Sequence, residues 1–75
     1  MELTEVVALN IRRIRHERKL TQEELADKAD LSARYVGKIE QGRVSPTISV
    51  VGRLAEALGI DPSDFLKNDH STAKR

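Results

Sequence analysis

The residues whose types and spacing could do recognition chemistry lie near the middle of the sequence. Arg34 and Lys38 stand four positions apart, and residues three or four apart share one face of a helix. The rest of that face is small or polar, and it consists of Ala33, Gly37 and Gln41. A face with two cations and no apolar stripe suits a polar, negatively charged partner that approaches closely.

Double-stranded DNA is a partner of this kind. Its major groove is about 12 Å wide and admits one helix, provided that the side chains facing the groove floor are not bulky. Arg34 is the candidate base reader, because a guanidinium can bond both acceptors on a guanine edge. Ala33 could press its methyl group on a thymine methyl, and Lys38 could reach either a guanine or a phosphate. The alternative for Arg34 is a surface salt bridge with Glu23, Asp27 or Asp30.

Helix signals dominate the rest of the sequence, and no segment alternates long enough to predict a strand. Hydroxyl residues mark the helix starts: Thr21 forms a capping box with Glu24, and Ser32 and Thr47 are further N-caps. The first predicted helix runs from about Thr4 to Arg18, and the second runs from Thr21 to a corner at Asp30 and Leu31. The third runs from Ser32 to about Gln41, and the fourth from Thr47 to Gly59. A short fifth helix begins at Asp61 and Pro62.

Each predicted helix carries apolar residues at helical spacing on one face. These residues are Leu3, Val7, Ile11 and Ile14; Leu25, Ala26 and Ala29; Val36 and Ile39; Ile48, Val51, Leu54, Ala55 and Leu58; and Phe65 with Leu66. The predicted fold class is therefore all-α, a compact five-helix bundle. We expect residues 1–67 to form one domain, with the helix-turn-helix at about 21–42, and residues 68–75 to form a disordered tail.

The composition limits the function classes. Seventy-five residues suffice for one small domain, and the absence of cysteine excludes disulfides and thiolate zinc sites. No apolar run approaches the length of a membrane span, so we expect a soluble, cytoplasmic protein. His16 and His70 have neither metal-ligand spacing nor paired carboxylates, and no glycine loop could cradle a phosphate. We therefore expect no enzymatic activity and no cofactor.

The formal net charge of +1 conceals an asymmetric distribution. Positions 10–19 hold five basic residues against one acidic residue, and positions 32–53 hold four against one. Positions 56–69 reverse the balance, with four acidic residues against one lysine. A basic front and an acidic end suit a polyanion bound on one side, although ordinary solvated surface is the alternative.

The ordered motifs resemble the lambda repressor and Cro-like (XRE-type) helix-turn-helix family of transcriptional regulators. The motifs are TQEELA from Thr21, KIEQG from Lys38, a loop that ends in Pro46 and Thr47, and LAEALGI from Leu54. The resemblance covers roughly residues 7–66. The helix-turn-helix alone is moderately specific, whereas these motifs in this order are highly specific.

The resemblance implies roles for individual residues. Gln22 matches a residue that grips a phosphate and braces the recognition helix, and Arg15 and Glu40 match a structural salt bridge. The resemblance implies contacts with base edges or flanking phosphates for Ser32, Ala33, Arg34 and Lys38. Phosphate contacts are implied for Tyr35 and Arg43.

Two positions depart from the pattern of the family. The corner residue, often glycine in the family, is Asp30, and aspartate tolerates the left-handed backbone better than most residues. Gly37 lies inside the recognition helix, where glycine costs about 1 kcal/mol relative to alanine. Gly37 could permit close approach to DNA, or it could be a tolerated weak residue.

The resemblance implies a stand-alone repressor, an autoregulator or a restriction-modification controller that binds an inverted-repeat operator in double-stranded DNA. We expect a homodimer, because one helix reads too few base pairs, and no small-molecule effector. The predicted interface lies around Ile60 and Leu66, whereas Leu58 and Phe65 are expected to close the core of the monomer. The alternative is an antitoxin or a protein-interaction module with the same fold.

Overall fold

The computed structural model describes residues 2–67 and contains four α-helices followed by one 3-10 helix. They are α1 (Leu3–Glu17), α2 (Gln22–Ala29), α3 (Ala33–Glu40), α4 (Ile48–Leu58) and the 3-10 helix (Pro62–Leu66). No strand is present within residues 2–67, which confirms the all-α prediction. The predicted tail at 68–75 lies outside the described residues.

The fifth predicted helix is a 3-10 helix, so the structure contains four α-helices and the predicted five-helix bundle is not confirmed. Asp61 starts it by accepting a hydrogen bond from the Ser63 backbone N–H at 2.9 Å. This bond holds the pKa of the Asp61 carboxyl below its ordinary value. The bond therefore stabilises the folded state above the pKa that Asp61 has in the unfolded chain, and this stabilisation is lost as the pH falls through the folded-state pKa. The segment ends at Leu66, since Lys67 has an extended backbone, and the buried Asn10 amide donates to the carbonyl oxygens of Phe65 and Lys67.

The predicted N-caps of α2, α3 and α4 are confirmed. Thr21 accepts from the Glu24 N–H at 3.0 Å, and the Glu24 carboxylate accepts from the Thr21 N–H at 2.9 Å. Ser32 and Thr47 accept in the same way from backbone N–H groups three residues later. Caps of this kind contribute about 1 kcal/mol each, so the sequence fixes where these helices begin.

All four α-helices end in the same left-handed turn. The residues with positive φ are Lys19, Asp30, Gly42 and Gly59. The next residue donates its N–H back to a carbonyl five positions earlier: Leu20 to Arg15, Leu31 to Ala26, Arg43 to Lys38 and Ile60 to Ala55. The sequence signals the turn at the two glycines and at Asp30, whereas Lys19 carries no such signal.

The core lies where the inner faces of the four α-helices and the 3-10 helix meet. Its fully buried members are Ile11, Leu25, Val36, Ile39, Leu54 and Phe65. Two expected core residues lie outside it, since Leu3 is 59% exposed and Ile48 is 91% exposed. Val50 is buried and shares one helical stripe with Leu54 and Leu58, whereas Ile48, the first residue of α4, is exposed.

Candidate nucleic-acid interface

The corner between α2 and α3 occupies three residues and has the geometry that a helix-turn-helix requires. Asp30 adopts φ 59° and ψ 48°, and the Leu31 N–H donates to the Ala26 carbonyl at 2.8 Å. Ala26 itself is 2% exposed, so a small residue lies where α2 packs inside the fold. The aspartate thus takes the left-handed turn that glycine often supplies.

A side chain of α4 braces this corner. Arg53 Nε donates to the Ala29 carbonyl at 3.1 Å, and its Nη2 donates to the Asp30 carbonyl. Arg53 Nη2 also lies 3.7 Å from the Asp30 carboxylate. The guanidinium therefore caps the carboxyl end of α2, a role that sequence reasoning missed because periodicity marks Arg53 only as an exposed cation.

Buried contacts anchor α3 from its inner side. Val36 and Ile39 are 0% and 1% exposed, and Glu40 beside them is also buried. The Glu40 carboxylate accepts from Arg15 Nε at 2.6 Å and from Arg15 Nη2 at 3.0 Å. Gln22 Nε2 donates to the same carboxylate at 2.9 Å, so α3 is bonded to both α1 and α2.

The opposite side of α3 presents the two predicted cations. Arg34 is exposed and Lys38 is half-buried, and within residues 2–67 neither side chain makes a hydrogen bond or an ion pair. The carboxylates considered as partners for Arg34 are therefore not bonded to it in this part of the chain. Both cations remain available for a partner outside the chain.

The other predicted contact residues surround these cations. Ser32 is exposed and its hydroxyl oxygen caps α3, while Ala33 and Tyr35 are half-buried and pack partly against the core. Arg43 is exposed in the loop after α3, where its Nη1 donates to Gln41 Oε1 at 3.4 Å. All these residues belong to α3 or to its two ends.

Gly37 faces the side chain of Gln22 as well as solvent. A Cβ atom added at Gly37 would lie 3.6 Å from Gln22 Oε1, an ordinary van der Waals distance. The packing of the chain would therefore accept alanine at this position, and the fold itself does not require glycine.

Within residues 2–67, no three histidine or acidic side chains stand close enough to hold a metal ion. No helix in the same range is long and apolar enough to cross a membrane.

A short left-handed corner between two eight-residue helices, the second with free outward cations, defines a helix-turn-helix protein. The sequence model of the helix-turn-helix family matches residues 11–65. The chain belongs to this family.

The chain is similar to a repressor, a transcription factor and a controller protein. The immunity repressor protein of Bacillus phage phi105 is 49% identical over 57 residues, which cover 76% of this chain and 40% of that repressor. The matched part of the chain thus spans about two fifths of the length of that relative. Among solved structures, the hypothetical transcription factor NHTF from Neisseria has a TM-score of 0.90 at 32% identity, covering 97% of this chain and 84% of that one.

A second solved structure belongs to a controller protein. The restriction-modification controller protein C.AhdI from Aeromonas hydrophila has a TM-score of 0.81 at 31% identity, covering 83% of this chain and 94% of that one. Together with the family match, these likenesses support DNA-binding transcriptional regulation as the function of the chain.

Proposed function

We propose that this protein is a sequence-specific regulator of transcription that inserts α3 into the major groove of an inverted-repeat operator. Small repressors, autoregulators and restriction-modification controllers are the types that fit. The observation that carries the proposal is the contrast between the two sides of α3. Its inner side is fixed by buried contacts, whereas Arg34 and Lys38 on its outer side have no partner within residues 2–67.

Base contacts are assigned to Ser32, Ala33, Arg34 and Lys38. The Ser32 hydroxyl accepts the capping bond and keeps its own proton for donation, and Arg34 has the two parallel donors that match guanine. Gly37 lies between these residues and the fold does not need it, which favours the interpretation that it permits close approach to the bases.

Phosphate contacts are assigned to Gln22, Tyr35 and Arg43. The Gln22 amide has two N–H donors, and one of them is bonded to Glu40. The second can donate to a phosphate, so one side chain would brace α3 and bind the DNA strand. Arg43 extends the contact into the loop after α3.

Selection from a random-sequence duplex pool tests the function. The expected result is enrichment of an inverted repeat whose half-sites lie about 34 Å apart, one turn of the double helix. A bound fraction without enrichment, or no binding at physiological salt, would contradict the proposal and favour the antitoxin or interaction-module alternative. The proposal assigns no catalytic role, cofactor or small-molecule effector, and it places the protein in the cytoplasm with its operator.

The homodimer that an inverted repeat requires has a candidate surface, which we call the apolar groove. It is a cleft of about 540 Å³ whose large exposed apolar side chains are Leu3, Ile48 and Leu66. Ile60, the other predicted interface residue, is half-buried and lines a different, charged cleft with Arg18 and Asp64. We assign the apolar groove, with Leu66, to the interface.

The single substitutions Ile48→Ser and Leu66→Ser should each weaken dimerisation, because full burial of an isoleucine or leucine side chain contributes about 1.5–3 kcal/mol. Each variant is expected to raise the dimer dissociation constant more than tenfold in sedimentation equilibrium. Leu9→Ser is the matched control, since Leu9 is 39% exposed on α1 and does not line the groove. Equal dissociation constants for all three variants would argue against this interface.

A further inference from the structure

A polar cleft lies beside the recognition helix, on the side of α1. Its volume is about 240 Å³, and it is lined by Arg12, Arg15, His16, Gln22, Glu40 and Gln41. Gln22 begins α2 and Gln41 follows α3, so the cleft opens where both helices of the helix-turn-helix meet α1.

The charges in this cleft do not cancel. Arg15 and Glu40 neutralise each other through two hydrogen bonds, and their side chains are only 9% and 3% exposed. Arg12 is exposed, and its side chain makes no hydrogen bond or ion pair within residues 2–67. The cleft therefore carries one uncompensated positive charge, that of the Arg12 guanidinium.

His16 adds a neutral donor to the same cleft. Its Nε2 lies 3.1 Å from Arg15 Nη2, and a guanidinium nitrogen can only donate. The His16 Nε2 must therefore accept, which places the proton of the neutral ring on Nδ1. In residues 2–67 no partner accepts from that Nδ1–H, so His16 offers a hydrogen bond beside the Arg12 cation.

We propose that this cleft binds a backbone phosphate of the DNA, with Arg12 supplying the charge and His16 a hydrogen bond. A free cation, a neutral donor and an internally balanced ion pair together suit a singly charged phosphodiester oxygen. The inference rests on the proposed function and extends the contact surface from α2 and α3 onto α1. This α1 contact would position the protein on the strand without reading sequence.

The test compares Arg12→Gln with Lys28→Gln on the enriched duplex and on an unrelated one. Lys28 is exposed at the end of α2, lines a different cleft, and loses the same charge on substitution. Arg12→Gln should weaken both duplexes by the same factor and make the slope of log K against log salt about 0.9 less negative. Lys28→Gln should keep the wild-type slope, and both variants should keep the wild-type melting temperature.

The outcomes separate this inference from the proposed function. If the wild type binds the enriched duplex and the two variants show the same slope, the α1 contact is wrong while DNA binding stands. If the wild type binds no duplex, both proposals fail. A second experiment titrates the protein with inorganic phosphate at constant ionic strength and follows the NMR signals of His16. Phosphate could shift the His16 NMR signals in the wild type but not in Arg12→Gln, while Arg12→Gln keeps the wild-type salt slope on DNA. That result would overturn the DNA assignment in favour of a free-phosphate site.

Discussion

Replacing Glu40 with alanine is expected to lower the free energy of unfolding by about 3–5 kcal/mol, the usual cost of removing one partner from a buried ion pair. The variant leaves the Arg15 guanidinium buried without its counter-ion and deprives Gln22 Nε2 of its acceptor. The free energy of unfolding of a folded domain is about 5–15 kcal/mol in total, so this variant would lose a large part of its stability. Urea unfolding followed by circular dichroism measures the loss.

Glu17→Ala is the matched control for this prediction. Glu17 also pairs with an arginine of α1, at 3.0 Å from Arg13, but these side chains are 53% and 40% exposed. An exposed pair four residues apart contributes about 0.3–0.5 kcal/mol, so this control should hardly change the unfolding curve. Similar losses for Glu40→Ala and Glu17→Ala would show that the buried pair does not hold α3.

Replacing Arg34 with alanine should reduce affinity for the selected operator by about 1–3 kcal/mol per half-site, which is roughly 5- to 150-fold. The reason is the loss of a two-donor contact with a guanine edge. Selection from a random pool with this variant should show relaxed base preference at one position of each half-site. Binding to unrelated duplexes should fall much less.

Arg43→Ala is the comparison for Arg34, because both arginines are exposed and carry the same charge. A phosphate contact has no sequence preference, so Arg43→Ala should weaken all duplexes alike and reduce the salt slope by about 0.9. If Arg34→Ala also weakens every sequence equally, Arg34 binds the backbone and does not read a base.

The local features of the fold could be predicted from the sequence because they depend on nearby residues. Thr21, Ser32 and Thr47 cap helices through atoms three residues away, and Gly59 ends α4 in the left-handed turn. The side of α3 that carries Arg34 follows from the helical spacing of Val36 and Ile39 alone. Local chemistry thus specified both the recognition helix and its exposed face.

Features that depend on distant parts of the chain were not predicted. Asn10 looks like a surface residue of α1, yet it is fully buried because its amide meets two carbonyl groups more than fifty positions away. Arg53 looks like a solvated cation, yet it bonds the end of α2. Ile48 looks like a core residue, yet it lies on the apolar groove. Spacing within one helix cannot show which surface of another helix it will meet.

The bond between Glu40 and Arg15 joins residues that are 25 positions apart, and Arg15 lies outside the helix-turn-helix segment. Residues 21–42, cut out as a peptide, would contain their cap residues but lose both the Arg15 contact that fixes the direction of α3 and the Arg53 bonds that brace the corner. Grafting this segment onto another scaffold would therefore transfer the contact residues without their orientation. Anyone who redesigns the specificity of this protein should treat α1 as part of the transferable unit.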